Sequence, residues 1–138
     1  MKGGSRSSFK VRFGDTDPWG VTYYVSFFRY ANQAVEDYLS SLMGKPASTV
    51  WRDPKEGYGL PVVEAKGSFF RPVRYGDEID AFVEILEKRE KGVSFLCSFV
   101  KEGEEVARVE LVCVCIDPNW IPRKLPSGLK RREEERDV

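Results

Sequence analysis

Two aspartates stand two residues apart in Gly14-Asp15-Thr16-Asp17-Pro18-Trp19-Gly20, a stretch dense in turn-forming residues. An apolar, helix-patterned run follows directly. A carboxylate there lies beside free backbone N–H groups, which carry roughly half a positive charge at a helix N-terminus. Such N–H groups can stabilise an oxyanion, and Asp17 beside them can act as nucleophile or general base. The same position suits a helix cap or turn residue, so the bare pattern leaves both roles open. Asp15 and Asp17 can also hold a cation, but two carboxylates without further oxygens make a poor site.

What is missing is equally informative. The 138 residues contain no histidine. A Ser-His-Asp triad, a Cys-His pair and a His-ligated zinc site are excluded. Acid–base chemistry falls to Asp, Glu, Lys, Tyr or Cys. The three cysteines, Cys97, Cys113 and Cys115, form no C-x-x-C pair. They read as small core residues in a reducing compartment, with no metal implied. The 22 Lys+Arg balance 22 Asp+Glu, so no nucleic-acid partner is expected. No run reaches the roughly 18 apolar residues of a membrane span, and the polar start lacks a secretory leader's apolar region. A cytoplasmic protein is expected.

The length suits one domain, read as a flexible N-terminus at 1–8, a domain at 9–126 and a charged tail at 127–138. Phe9 to Phe13 alternates as a short strand. Phe27, Phe28, Ala31, Ala34, Val35, Tyr38, Leu39 and Leu42 recur at spacings of three and four, which predicts a buried helix face. Gly44 and Pro46 end that helix. Its start is placed at Ser26 as N-cap, or one turn earlier at Tyr23 or Tyr24. Lys45 to Gly59 reads as a loop with some local helix. Four strands follow: 60–73 with a bulge near Gly67, then 78–88, 93–101 and 105–117. Tight turns between them favour an antiparallel sheet. Five strands curved around one helix would bury the stripe, and dimerisation would protect the open sheet edge.

Val11-Arg12-Phe13-Gly14-Asp15-Thr16-Asp17-Pro18-Trp19-Gly20-Val21 resembles the opening motif of hotdog-fold acyl-CoA thioesterases, in the 4-hydroxybenzoyl-CoA thioesterase family. Tyr23 to Tyr30 continues it, and Pro72-Val73-Arg74-Tyr75-Gly76-Asp77 is similar to that family's Pro-x-x-x-Gly-Asp turn. The resemblance covers about residues 9 to 117 and implies an α+β hotdog fold. It implies that Asp17 is the catalytic carboxylate and that the Tyr24 backbone N–H polarises the thioester carbonyl. The pocket would lie between subunits of a dimer or higher oligomer, with the carboxylate and the helix end from different subunits. Pantetheine would run along Leu60-Pro61-Val62, and the nucleotide phosphates would meet Lys88, Arg89 and Lys91. CoA would enter as part of the substrate, with no other cofactor. The chain looks like the histidine-free branch, and Ser26 replaces a common Asn.

A thioester suits one carboxylate plus an oxyanion site, because a thiolate with pKa about 8–9 leaves without much acid help. The expectation is hydrolysis of an acyl-CoA to acid and CoA. Two alternatives stay open: a hotdog protein that binds acyl-CoA or an acyl carrier without hydrolysis, and a structural oligomer. Trp19, Tyr23, Trp51 and Tyr58 suggest an aromatic-lined pocket.

Overall fold

The computed structural model describes residues 5–129. Strand β1 (Ser5–Lys10) leads through a loop to helix α1 (Tyr24–Met43). A small hairpin of β2 (Arg52–Asp53) and β3 (Tyr58–Gly59) follows. Then come β4 (Val62–Phe69), β5 (Glu78–Lys88), β6 (Gly92–Lys101) and β7 (Glu104–Val114). Five strands form one antiparallel sheet in the order β1-β5-β6-β7-β4.

Period-two patterning explains the sheet. Ile79, Ala81 and Val83 on β5, Val93, Phe95, Cys97 and Phe99 on β6, and Val109, Leu111 and Cys113 on β7 are all buried. Helix α1 supplies the opposing layer with Phe27, Tyr30, Ala31, Ala34, Val35, Tyr38 and Leu39. Each large apolar side chain so buried contributes about 1.5–3 kcal/mol. Gly44 ends the helix at φ 65°, donating its N–H to Ser40 O, a left-handed cap that costs Gly little. Among the described residues no helix is long and apolar enough to cross a membrane.

Several expectations need correction. Sheet begins at Ser5, so residues 5–8 are strand and not a flexible end; 1–4 lie outside the described residues. Phe13 starts a 3-10 turn instead of ending a strand. The bulge of β4 falls between Val62 and Glu64, while Gly67 sits in register with Val109. Gly67 instead gives clearance: a Cβ there would come within 2.7 Å of the Phe69 ring and 2.9 Å of the Phe28 ring. Residues 127–129 are docked, not tail. Leu129 is fully buried and its carbonyl accepts from Lys88 Nζ at 2.8 Å. The charge run expected as a solvated tail lies at 130–138, outside the described residues.

Strands β1 and β4 are the two edges of this sheet. Among the described residues β4 pairs only with β7, and it exposes Val62, Val63 and Phe69, with Phe70 just beyond.

Candidate active site

The Asp15-Thr16-Asp17 segment is wired into the helix start. The Asp15 carbonyl accepts the Tyr23 N–H at 2.8 Å and the Ser26 hydroxyl at 3.0 Å. Tyr23 is therefore the N-cap and Ser26 lies inside the first turn. The Asp15 carboxylate accepts the Arg12 N–H at 3.0 Å, the Tyr30 hydroxyl at 2.7 Å, and Arg29 Nη2. Burial pushes this carboxyl up, but the Arg12 N–H, Tyr30 and Arg29 outweigh it, so its pKa lies below the ordinary Asp value. The Tyr30 hydroxyl is pushed up by burial and by the same carboxylate. Asp15 is thus a buried brace, and its oxygens are not free to share a cation with Asp17.

Asp17 is set differently. Its Oδ1 accepts the N–H groups of Trp19 at 2.9 Å and Val21 at 3.2 Å. Its own N–H donates to Val21 O, and Gly20 N–H donates to Asp17 O. Gly20 has φ 77°, a left-handed position that favours glycine. Among the described residues Asp17 Oδ2 has no partner. One oxygen fixes the loop and the other is available for chemistry.

The two sequence motifs meet in space. Thr22 donates N–H and hydroxyl to Val73 O at 2.6 and 2.8 Å, and Val21 bridges to Arg74. Asp77 closes the second motif by accepting Arg74 N–H at 2.8 Å and Lys101 Nζ at 2.9 Å. Beside this junction a cavity of about 270 Å³ is lined by Thr22, Tyr24, Phe27, Phe69, Phe70 and Pro72 among others. Asp17 is not among its lining residues, nor is any other carboxylate.

A larger cavity, about 670 Å³, lies at the other end of β4. Leu60, Pro61 and Val62 form one side, and Trp51, Tyr58 and Trp120 add aromatic surface. Of the four aromatics singled out in the sequence, Trp51 and Tyr58 line it; Trp19 and Tyr23 do not. Tyr58 is anchored, donating its hydroxyl to Val50 O at 3.0 Å and accepting from Lys45 Nζ at 3.0 Å. Lys45 also pairs with Asp53 at 2.6 Å. Trp120 was missed. The available signal was that Asp117-Pro118-Asn119-Trp120-Ile121 repeats the Asp-Pro-x-x-aliphatic order of Asp17 to Val21.

The basic turn shares that end of the sheet, since Val93 aligns with both Lys88 and Cys113, and Cys113 aligns with Val62. Lys88 is engaged by the Leu129 carbonyl. Arg89 makes an exposed ion pair with Glu87 at 3.2 Å, and Lys91 is exposed. The structure therefore groups Leu60-Pro61-Val62 with the basic turn, and Asp17 with Tyr24 at the opposite end.

Residues 11–130 match the thioesterase-like superfamily. The chain belongs to that superfamily. A 1,4-dihydroxy-2-naphthoyl-CoA hydrolase of Prochlorococcus marinus (strain NATL1A) is 30% identical over 112 residues, covering 78% of this chain and 75% of the relative. The solved structure of a gentisyl-coenzyme A thioesterase is 26% identical with a TM-score of 0.81, covering 91% of this chain and 99% of that one. A 1,4-dihydroxy-2-naphthoyl-CoA thioesterase from Synechocystis has a TM-score of 0.85 at 24% identity, covering 99% of both chains. The five-stranded antiparallel sheet with one long helix is the hotdog arrangement of these thioesterases. Of the activities left open by the sequence, this superfamily member is a thioester hydrolase.

Proposed function

We propose that this hydrolase cleaves an acyl-CoA carrying an aromatic acyl group, yielding the free acid and CoA. In this reading Asp17 supplies the carboxylate and the Tyr24 backbone N–H supplies the oxyanion contact, as in the histidine-free 4-hydroxybenzoyl-CoA thioesterases that the motifs resemble. The observation that carries it is the free Oδ2 of Asp17 in a loop whose Thr16, Asp17, Trp19, Gly20 and Val21 N–H groups are all hydrogen-bonded, and which leads directly into a helix start. The names of the relatives and the aromatic wall of the large cavity support the choice of acyl group.

The chemistry balances with one carboxylate. Oδ2 takes a proton from water as the hydroxyl oxygen adds to the thioester carbon. The Tyr24 N–H holds the resulting oxyanion, which collapses and expels the CoA thiolate. That thiolate then accepts a proton. In the alternative route Oδ2 itself attacks the thioester carbon and expels the CoA thiolate, leaving a mixed anhydride. Water then cleaves it to the free acid and the Asp17 carboxylate, and the released proton goes to the thiolate. A general base supplies about 10²–10⁴-fold and an oxyanion donor about 10²-fold or more.

The reading includes a homo-oligomer. Strand β4 spans about 23 Å at roughly 3.3 Å per residue, with the large cavity at its Val62 end and Tyr24 against Phe69 at the other. Two-fold pairing of this open edge is antiparallel. It brings the cavity and basic turn of one copy to the Asp17–Tyr24 junction of the other. What the copies exchange in this arrangement is the binding cavity; Asp17 and Tyr24 stay within one chain, instead of coming from different subunits. The pantetheine arm then lies along Leu60-Pro61-Val62, with the phosphates toward Arg89, Lys91 and Lys88.

The test is thiol release from a panel of aromatic and aliphatic acyl-CoAs, wild type beside Asp17→Asn. Turnover on aromatic thioesters that falls at least a hundredfold in the variant is the expected result. Turnover retained in Asp17→Asn removes that residue from the mechanism.

A further inference from the structure

The loop that carries Asp17 occurs a second time. Asp117 Oδ1 accepts the N–H groups of Asn119 at 2.8 Å and Ile121 at 3.0 Å. Asp117 N–H donates to Ile121 O, and Trp120 N–H donates to Asp117 O, both at 2.9 Å. These are the same four bonds that close Asp17 to Val21. The fourth residue of each loop is left-handed: Gly20 at φ 77°, Trp120 at φ 64°. Where the first loop has the residue this backbone prefers, the second has the bulkiest side chain available. A left-handed Trp is an outlier that the surrounding hydrogen bonds must impose.

The indole gains no core packing in return, since Trp120 is 72% exposed. It does line the 670 Å³ cavity together with Trp51 and Tyr58. Tyr58 is locked by Lys45 and Val50, so that side of the cavity is rigid. Trp120 stands on a short turn that follows β7 through Cys115 and Ile116. A flat ring entering the cavity would meet a lining that contains two indoles, Trp51 and Trp120. Ring pairs add affinity beyond the area they bury.

We propose that Trp120 is a specificity-determining residue, a wall that selects acyl groups with a planar ring over linear chains. This rests on the acyl-CoA reading above. Its test is chosen to stand without turnover. Two non-hydrolysable thioethers, phenacyl-CoA and hexyl-CoA, are titrated calorimetrically into wild type, Trp120→Gly and Trp120→Phe. Glycine suits the left-handed backbone, so Trp120→Gly keeps the fold, with a melting temperature equal to or above wild type. The expected result is that the preference for phenacyl-CoA over hexyl-CoA, taken as the ratio of the two Kd values, falls at least tenfold in Trp120→Gly. Trp120→Phe keeps that ratio within threefold.

A ratio that falls less than tenfold in Trp120→Gly overturns the proposal, as does an equal loss of affinity for both thioethers. Wild type that binds neither thioether also overturns it. If wild type hydrolyses no acyl-CoA yet the ratio shifts as stated, the catalytic reading fails and the role of Trp120 stands.

Discussion

Asp15 and Asp17 stand two residues apart with different hydrogen-bond partners, and a pair of isosteric substitutions separates the brace from the carboxylate that the proposed function makes catalytic. In Asp15→Asn the Arg12 N–H and Tyr30 hydroxyl keep an oxygen acceptor but lose its charge. Charge-assisted hydrogen bonds contribute about 1.5–3 kcal/mol against about 0.5–1.5 for neutral ones, so these two bonds weaken by roughly 1 kcal/mol each. Arg29 is half exposed and can turn to water, so its ion pair adds at most about 1 kcal/mol. The sum is about 2–3 kcal/mol. For 138 residues the unfolding entropy is about 290 cal/mol/K, and the melting temperature drops by about 7–10 °C. In Asp17→Asn the side-chain oxygen still accepts from Trp19 and Val21, so melting stays within about 3 °C. Its kcat nevertheless falls at least a hundredfold, about 2.7 kcal/mol in the barrier. Calorimetry and thiol release on the two variants test this crossing. The reasoning is refuted if Asp15→Asn melts within about 2 °C of wild type, or if Asp17→Asn is the less stable of the two. The pH dependence has a fixed sign. Asp15 has a depressed folded pKa, so its stabilisation is full above the unfolded value near 3.9 and is lost as pH falls through the folded value. The gap between wild type and Asp15→Asn is therefore narrower at about pH 2 than at about pH 7.

Two further outcomes follow from burial and from the open sheet edge. Cys97 and Cys113 have thiols pushed up to about 12 by burial, and Cys115 is raised for the same reason. The native protein should give no rapid colour with an aromatic disulfide reagent, and all three thiols should react in guanidinium; a fast-reacting thiol in the folded state contradicts this. Replacing Val63 and Ala65 by lysine puts like charges along the exposed edge of β4. Sedimentation should then report a monomer, with helix content retained and turnover reduced at least a hundredfold. A fully active monomer would sink the shared site, and an unchanged oligomer would move the interface elsewhere.

The fold was legible wherever burial imposes a period. Phe27 to Leu42 shows the helix because one stripe must face a sheet, and β5 to β7 alternate because one face of each meets that helix. Legibility failed where another element decides the conformation. Ser5-Arg6-Ser7-Ser8 carries no apolar alternation; it is strand because it pairs with Asp80 to Val83. Gly67 suggests a bulge by residue type, but its lack of a side chain serves the Phe28 and Phe69 rings. Leu129 is one apolar residue among Pro, Ser and Gly, and nothing local shows that it reaches the core. At the site, the family resemblance pointed to Asp17 and Tyr24, yet nothing in the sequence could tell that Asp15 is consumed by Tyr30 and Arg29. That division depends on where α1 places two side chains fourteen and fifteen residues further along the chain.

The direction of α1 along the sheet is what makes a single copy an incomplete enzyme under the proposed reading. The helix starts against Phe69 and ends where Met43 packs against Gly128, near the Lys88–Leu129 contact. Tyr24, the proposed oxyanion donor, and Asp17 therefore sit at one end of β4. The aromatic cavity and the basic turn sit about 23 Å away at the other. No hinge in one chain brings them together, because the β-sheet between them is hydrogen-bonded along its length. A two-fold axis through the middle of β4 does so without moving any element. It also satisfies the unpaired edge that an isolated copy would leave to water and to aggregation. One exposed strand would then meet two requirements, protecting the fold and completing the site.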